Sequence, residues 1–172
     1  RSIKTLRANF SQESSFFGFA TKRKSLGNLE FKKPGKKHWQ YLDPEPQQFV
    51  SDGESLWFYQ PDLEQVTVAQ FENTFSSDLP VSFLLGIGSL VNEFDLLKSC
   101  NSEAGIVLKL KSKKTEKIFH LLVDKESYSP AGASMLDEGG NQTQILLKDL
   151  EANPKIKNVN FVFNIPRGVD II

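Results

Sequence analysis

The sequence predicts a mainly β fold, an antiparallel meander that is closed or partly closed and carries a few short helices. Three observations predict it. Apolar and polar residues alternate along most of the chain, turn dipeptides recur at short intervals, and residues 51–68, SDGESLWFYQPDLEQVTV, pack a hairpin turn and three adjacent aromatics into one segment. A period of two signals strand because successive side chains on an extended backbone point to opposite faces.

Residues 1–9 place Ile3 and Leu6 three apart, as the end of a short amphipathic helix would. Leu29 and Phe31 then alternate with Asn28 and Glu30, and Trp39 and Tyr41 with His38 and Gln40, which gives two strands about the turn Lys33-Pro34-Gly35. Asp52-Gly53 is a tight-turn dipeptide, since glycine accepts positive φ without steric cost. In Leu56-Trp57-Phe58-Tyr59 both faces of the following strand are large and apolar, so the second face must be covered by another part of the chain or by a ligand. Pro61-Asp62 marks a turn before the alternating Val66 and Val68. Residues 80–98, PVSFLLGIGSLVNEFDLLK, open on a proline suited to a first helical turn and read as two short apolar helices split at Gly86 and Gly88, resting on the sheet. Ile106, Leu108 and Leu110 form a further strand, and Val159, Phe161 and Phe163 a last one, closed by Pro166-Arg167-Gly168. No repeat, low-complexity run or linker divides the chain, so residues 1–172 are expected to form a single domain.

Twenty-one Lys and Arg balance twenty-one Asp and Glu, which argues against a nucleic-acid partner. Fourteen Phe against one Met and two Trp concentrate bulk in rigid rings that favour strands and apolar cavities. The single Cys100 has no partner for an internal disulfide and reads as a small buried residue. The chain begins at Arg1, which reads as a processed or trimmed terminus, and no stretch approaches the roughly 20 apolar residues of a spanning helix.

Catalytic and metal-binding patterns are missing. His38 and His120 sit in strand-like stretches with no Cys, Asp or Glu at ligand spacing, and no G-x-S-x-G elbow occurs. Gly86-Ile87-Gly88-Ser89 lacks the lysine of a phosphate loop. Neither an enzyme nor a cofactor is indicated. Basic runs at Lys22-Arg23-Lys24, at Lys32, Lys33, Lys36 and Lys37, and at Lys111, Lys113, Lys114 and Lys117 read as solvated strand ends and turns, or as a docking surface for an acidic partner or an anionic membrane.

The 51–68 segment resembles the signature of the LolA family, periplasmic carriers that move lipoproteins from the inner to the outer membrane of Gram-negative bacteria. Other pieces follow in the family's order: NFSQ at 9–12, LEFKKPGKKHWQYLDP at 29–44, LPVSFLLG at 79–86 as a lid helix, Ile118 to Asp124, and FVFNIPRGVDII at 161–172. The resemblance implies an incomplete antiparallel barrel, a half-barrel, with short helices forming a lid over an apolar cavity for acyl chains. It also implies a monomeric periplasmic protein whose signal peptide has been removed. Its partners would be acylated lipoproteins, an inner-membrane lipoprotein-releasing ABC transporter and an outer-membrane lipoprotein receptor. Leu29, Phe31, Trp39, Tyr41, Trp57, Tyr59, Phe83, Leu84 and Leu85 are the expected cavity residues. Where the family has an arginine that latches the lid this chain has Lys33, which keeps the charge and loses the planar fork. Where the family commonly has a phenylalanine that assists release, this chain has Lys37, a departure that bears on docking and transfer. Two other classes stay open: a module of the same fold that binds or senses free lipid or glycolipid without exchanging lipoprotein, and a hydrolase of apolar ligands.

Overall fold

The computed structural model describes residues 3–70, 92, 94–113 and 115–172. Among these residues the strands are β1 (Thr5–Ser15), β2 (Lys22–Lys32), β3 (Lys36–Asp43), β4 (Gln47–Asp52), β5 (Ser55–Gln60), β6 (Gln65–Gln70), β7 (Phe94–Ser102), β8 (Gly105–Ser112), β9 (Ile118–Val123), β10 (Pro130–Leu136), β11 (Gln142–Ala152) and β12 (Asp170–Ile171). Their order in the sheet is β12-β6-β5-β4-β3-β2-β1-β11-β10-β9-β8-β7. From β2 to β6 and from β7 to β11 each strand pairs antiparallel with the next, which is the meander the alternation predicts. The chain divides into two compact units. One holds Arg1–Phe10, Ser25–Asp78 and Asp149–Ile172, the other Ser11–Lys24 and Leu79–Lys148.

In the first unit a helix is expected over residues 1–9, but from Thr5 the described chain is the start of β1. Leu6, Ala8 and Phe10 are all buried, so a period of two governs the segment and the spacing of Ile3 and Leu6 is incidental. Gly27 on β2 answers Phe10. A Cβ on Gly27 would stand 2.0 Å from the Gln40 carbonyl oxygen and 2.5 Å from Phe10 Cζ, so only glycine lets the Phe10 ring lie against the strand. Gly27→Ala should therefore lower stability by about 1–3 kcal/mol through overpacking, measurable as a drop in the urea midpoint at unchanged slope.

The turns follow their side-chain chemistry. Asp52 Oδ1 accepts from the backbone N–H groups of Glu54 and Ser55, both at 2.9 Å, while Gly53 sits at φ +105° between β4 and β5. Pro61–Leu63 forms a single 3-10 turn before β6, ended by Glu64 in the left-handed region.

The C-terminal segment departs from the expected strand. Asn158–Phe161 is a short 3-10 turn packed on β3 and β4, with Phe161 fully buried, and the chain becomes a strand only at β12, parallel to β6. Phe161 covers the sheet, while Val159 and Val162 remain exposed. Asn160 Nδ2 donates to Glu30 Oε2 at 2.6 Å, Arg7 pairs with the same carboxylate at 2.8 Å, and Lys32 Nζ donates to the Ile156 carbonyl at 3.1 Å. These contacts fix the segment across β1 and β2.

The second unit has its own core. Leu121 pairs with Ala133 and Ala133 with Ile145, all buried, and Phe94 meets the edge of Phe119 at 6.0 Å. Residues 94–98, expected at the end of a helix, belong to β7, where Phe94 pairs with Ser112. Cys100, expected to be buried, is exposed on the same strand. The helices expected before it, with Phe83, Leu84 and Leu85, lie outside the described residues.

Candidate functional site: an apolar face across β1–β5

Directly paired residues of antiparallel strands share a face, so the register sorts the candidate residues. One row runs Leu29, Trp39, Phe49, Phe58 from β2 to β5, and the next runs Phe31, Lys37, Ser51, Leu56. Tyr41 lies opposite Gly27 on the same face. Phe10 joins from β1, its ring 4.3 Å from Trp39 and 5.1 Å, edge-on, from Tyr41. Phe49 and Phe58 stack at 4.2 Å with an interplanar angle of 10°. The result is an aromatic stripe, Phe10, Trp39, Tyr41, Phe49 and Phe58, bordered by the buried Leu29, Phe31 and Leu56.

Trp57 and Tyr59 are a correction. They alternate with Phe58 and so belong to the opposite face, where Trp57 pairs with Val50 and Tyr59 with Val66. Phe163 packs against both, with ring centroids at 6.3 Å and 5.7 Å. The double-sided apolar strand β5 is thereby explained: the C-terminal segment covers the Trp57 side, and Phe58 is left to the stripe. His38 also lies on the covered side, its Nε2 3.2 Å from Gln48 Oε1, a structural partnership.

Lys37 stands in the middle of the apolar face at 2% exposure, against the solvated surface expected of the basic run. Its ladder neighbours on that face are Phe31 on β2 and Ser51 on β4. Burial pushes the amine down to about 7, because removing water penalises its charged form. Tyr41 responds to the same environment: burial raises its hydroxyl. Lys33, by contrast, is exposed in the β2–β3 turn, its backbone N–H donating to the Lys4 carbonyl at 2.9 Å. The β4–β5 turn comes close to it, since a Cβ on Gly53 would stand 3.1 Å from the Pro34 carbonyl oxygen.

Phe10, Phe49 and Phe58 belong to the stripe although the residue pattern singles out other positions. The available signal is their common parity with Trp39, which becomes usable once the hairpin registers are known. Among the described residues no three His, Cys, Asp or Glu side chains gather as a metal site would require. Their absence does not define the site; its positive content is apolar area, aromatic faces and one buried amine.

A sheet face of this composition defines a class of proteins that hold apolar material against a β-sheet. Comparison with known proteins narrows the class. The family model described as outer membrane lipoprotein carrier protein LolA matches residues 1–164. An outer-membrane lipoprotein carrier protein of Legionella pneumophila is 34% identical over 99% of this chain and 84% of its own length. One from Nitrosomonas europaea is 32% identical over 98% of this chain and 82% of its own. The crystal structure of a LolA superfamily protein, also from Nitrosomonas europaea, covers 95% of this chain and 92% of its own at a TM-score of 0.54 and 10% identity, a likeness of fold. The chain belongs to the LolA family.

Proposed function

We propose that this protein is a periplasmic carrier that shelters the acyl chains of lipoproteins on the β1–β5 face and delivers them to the outer membrane. It is a chaperone, not an enzyme. The observation that carries the reading is the aromatic stripe of Phe10, Trp39, Tyr41, Phe49 and Phe58 in a chain of this family. A lipid anchor in water costs about 0.8 kcal/mol per exposed methylene, so a carrier must offer apolar area, and rings ranked across four strands supply it.

In this reading Leu29, Phe31, Trp39 and Tyr41 line the acyl site, joined by Phe10, Phe49 and Phe58. The single-domain, half-barrel arrangement with a lid carrying Phe83, Leu84 and Leu85 comes from the family resemblance, as does a latch at Lys33. Its support is the exposed position of Lys33 in a turn tied to Lys4 through the backbone. The partners proposed with it are an inner-membrane releasing transporter and an outer-membrane receptor, engaged by a monomer from which the leader has been cleaved.

Two experiments test this. Purified protein added to inner-membrane vesicles with ATP should draw newly made lipoproteins into a soluble complex, and failure to do so while free lipid still binds would favour the lipid-sensing module. Leu84→Glu should reduce acyl loading at least tenfold while leaving the circular dichroism spectrum unchanged; unchanged loading would remove this residue from the lid.

A further inference from the structure

The tip of the β1–β2 hairpin carries chemistry that an acyl site does not use. Phe16, Phe17 and Phe19 fall within four residues at the tip and are 45%, 78% and 73% exposed. Scattered exposed apolar residues are ordinary, but three rings side by side on one turn make a patch. The turn is also built rather than loose. Phe19 N–H donates to the Phe16 carbonyl at 3.0 Å, and Phe17 N–H donates to Asn141 Oδ1 at 3.0 Å from the neighbouring β10–β11 turn. Asn141 is itself held by Asp137, through its backbone N–H and its Nδ2, both at 2.8 Å. Gly140 brings the two turns together, since a Cβ there would stand 3.1 Å from the Phe17 ring. Gly18, at φ +83° and with open space around it, makes the bend between the rings.

A cationic collar follows. Lys22, Arg23 and Lys24 open β2 and are all exposed, and Glu13 meets Lys22 at 2.6 Å and Lys24 at 4.0 Å. Two residues, Ala20 at a bend and Thr21, separate Phe19 from the collar, so three steps of chain, at most roughly 10 Å, join the rings to the cations. That reach lets the rings enter the interface while the cations stay at its headgroups. The nearby acids are Asp137 and Glu138. Asp137 is engaged by Asn141 and lies within the field of Lys117.

We propose that the β1–β2 tip inserts Phe16, Phe17 and Phe19 into an anionic bilayer surface, with Lys22, Arg23 and Lys24 seated on its headgroups. A convex tip suits a deformable medium, which needs no complementary pocket. The contact is separate from acyl carriage, because it belongs to the protein without cargo.

The test is flotation of the cargo-free protein with vesicles of phosphatidylethanolamine and phosphatidylglycerol, and with vesicles of phosphatidylcholine alone. Binding is expected on the first, weakened by salt. The triple variant Phe16→Ser, Phe17→Ser, Phe19→Ser should bind at least tenfold less, and Lys22→Glu with Lys24→Glu should abolish the preference for the anionic vesicles. Val159→Ser, which removes an exposed apolar side chain elsewhere, should change nothing. Phe17→Trp should shift its emission to the blue on the anionic vesicles only. No flotation, flotation unchanged in the triple variant, equal flotation on both lipids, or binding only to vesicles bearing a membrane protein would each overturn the proposal. A protein that fails to load lipoprotein yet floats would contradict the carrier reading and leave this one standing.

Discussion

Replacing Lys37 with methionine is expected to stabilise the protein at neutral pH and below by about 1–4 kcal/mol, the order found when buried ion pairs or triads yield to apolar side chains of similar volume. The lysine is buried beside Phe31 and Ser51, and burial pushes its amine from 10.5 down to about 7. A shift of that size corresponds to roughly 5 kcal/mol between the charged and neutral forms, an upper bound on what folding loses by burying the cation. The sign of the pH dependence follows. Below about 7 both folded and unfolded chains hold the proton, and the penalty is fully present. Between about 7 and 10.5 the unfolded chain holds more protons than the folded one, so the parent gains stability as pH rises. Urea titrations of parent and Lys37→Met at pH 6, 8 and about 10 should therefore show a gap that is widest at pH 6 and narrows upward. A gap that widens with pH would mean that the folded protein stabilises the ammonium.

The second large effect separates two neighbours in sequence. Trp57→Ala opens a gap beneath Phe163 on the covered side of β5 and should cost about 3 kcal/mol of stability, with acyl affinity unchanged in the protein that remains folded. Phe58→Ala removes one ring of the stacked pair on the other side. A Phe side chain contributes about 1.5–3 kcal/mol when its area leaves water, so acyl affinity should fall roughly 10- to 100-fold, with the smaller effect on folding. Displacement of a fluorescent fatty acid measures the first quantity and thermal unfolding the second. The two variants should exchange rank between the assays.

The alternation in Leu29-Glu30-Phe31 and Trp39-Gln40-Tyr41, and the Asp52-Gly53 turn, carry the strands and hairpins of the first unit, since local sequence alone decides period and turn. Face assignment is a different matter. Trp57 and Phe58 are equally apolar, and which one meets the chain's own C-terminus depends on Phe163, more than a hundred residues away in sequence. The C-terminal run of Val159, Phe161 and Phe163 has strand periodicity, yet its rings cover a sheet face, and periodicity cannot tell a covering segment from a paired one. Lys37 reads as one member of a basic run because composition does not register that its strand parity matches Trp39. The aromatic turn Phe16-Phe17-Gly18-Phe19 is plain in the sequence, but its exposure is a property of the fold.

The measurement closest to the central claim is photocrosslinking to a radiolabelled acyl chain, with the photoreactive residue placed in turn at positions 58 and 57 and the complex loaded from inner-membrane vesicles. Label transfer at 58 and not at 57 is the result expected if acyl chains lie on the Leu29–Trp39–Phe58 face. Transfer at 57 alone would put the lipid on the face that Phe163 covers and contradict the account.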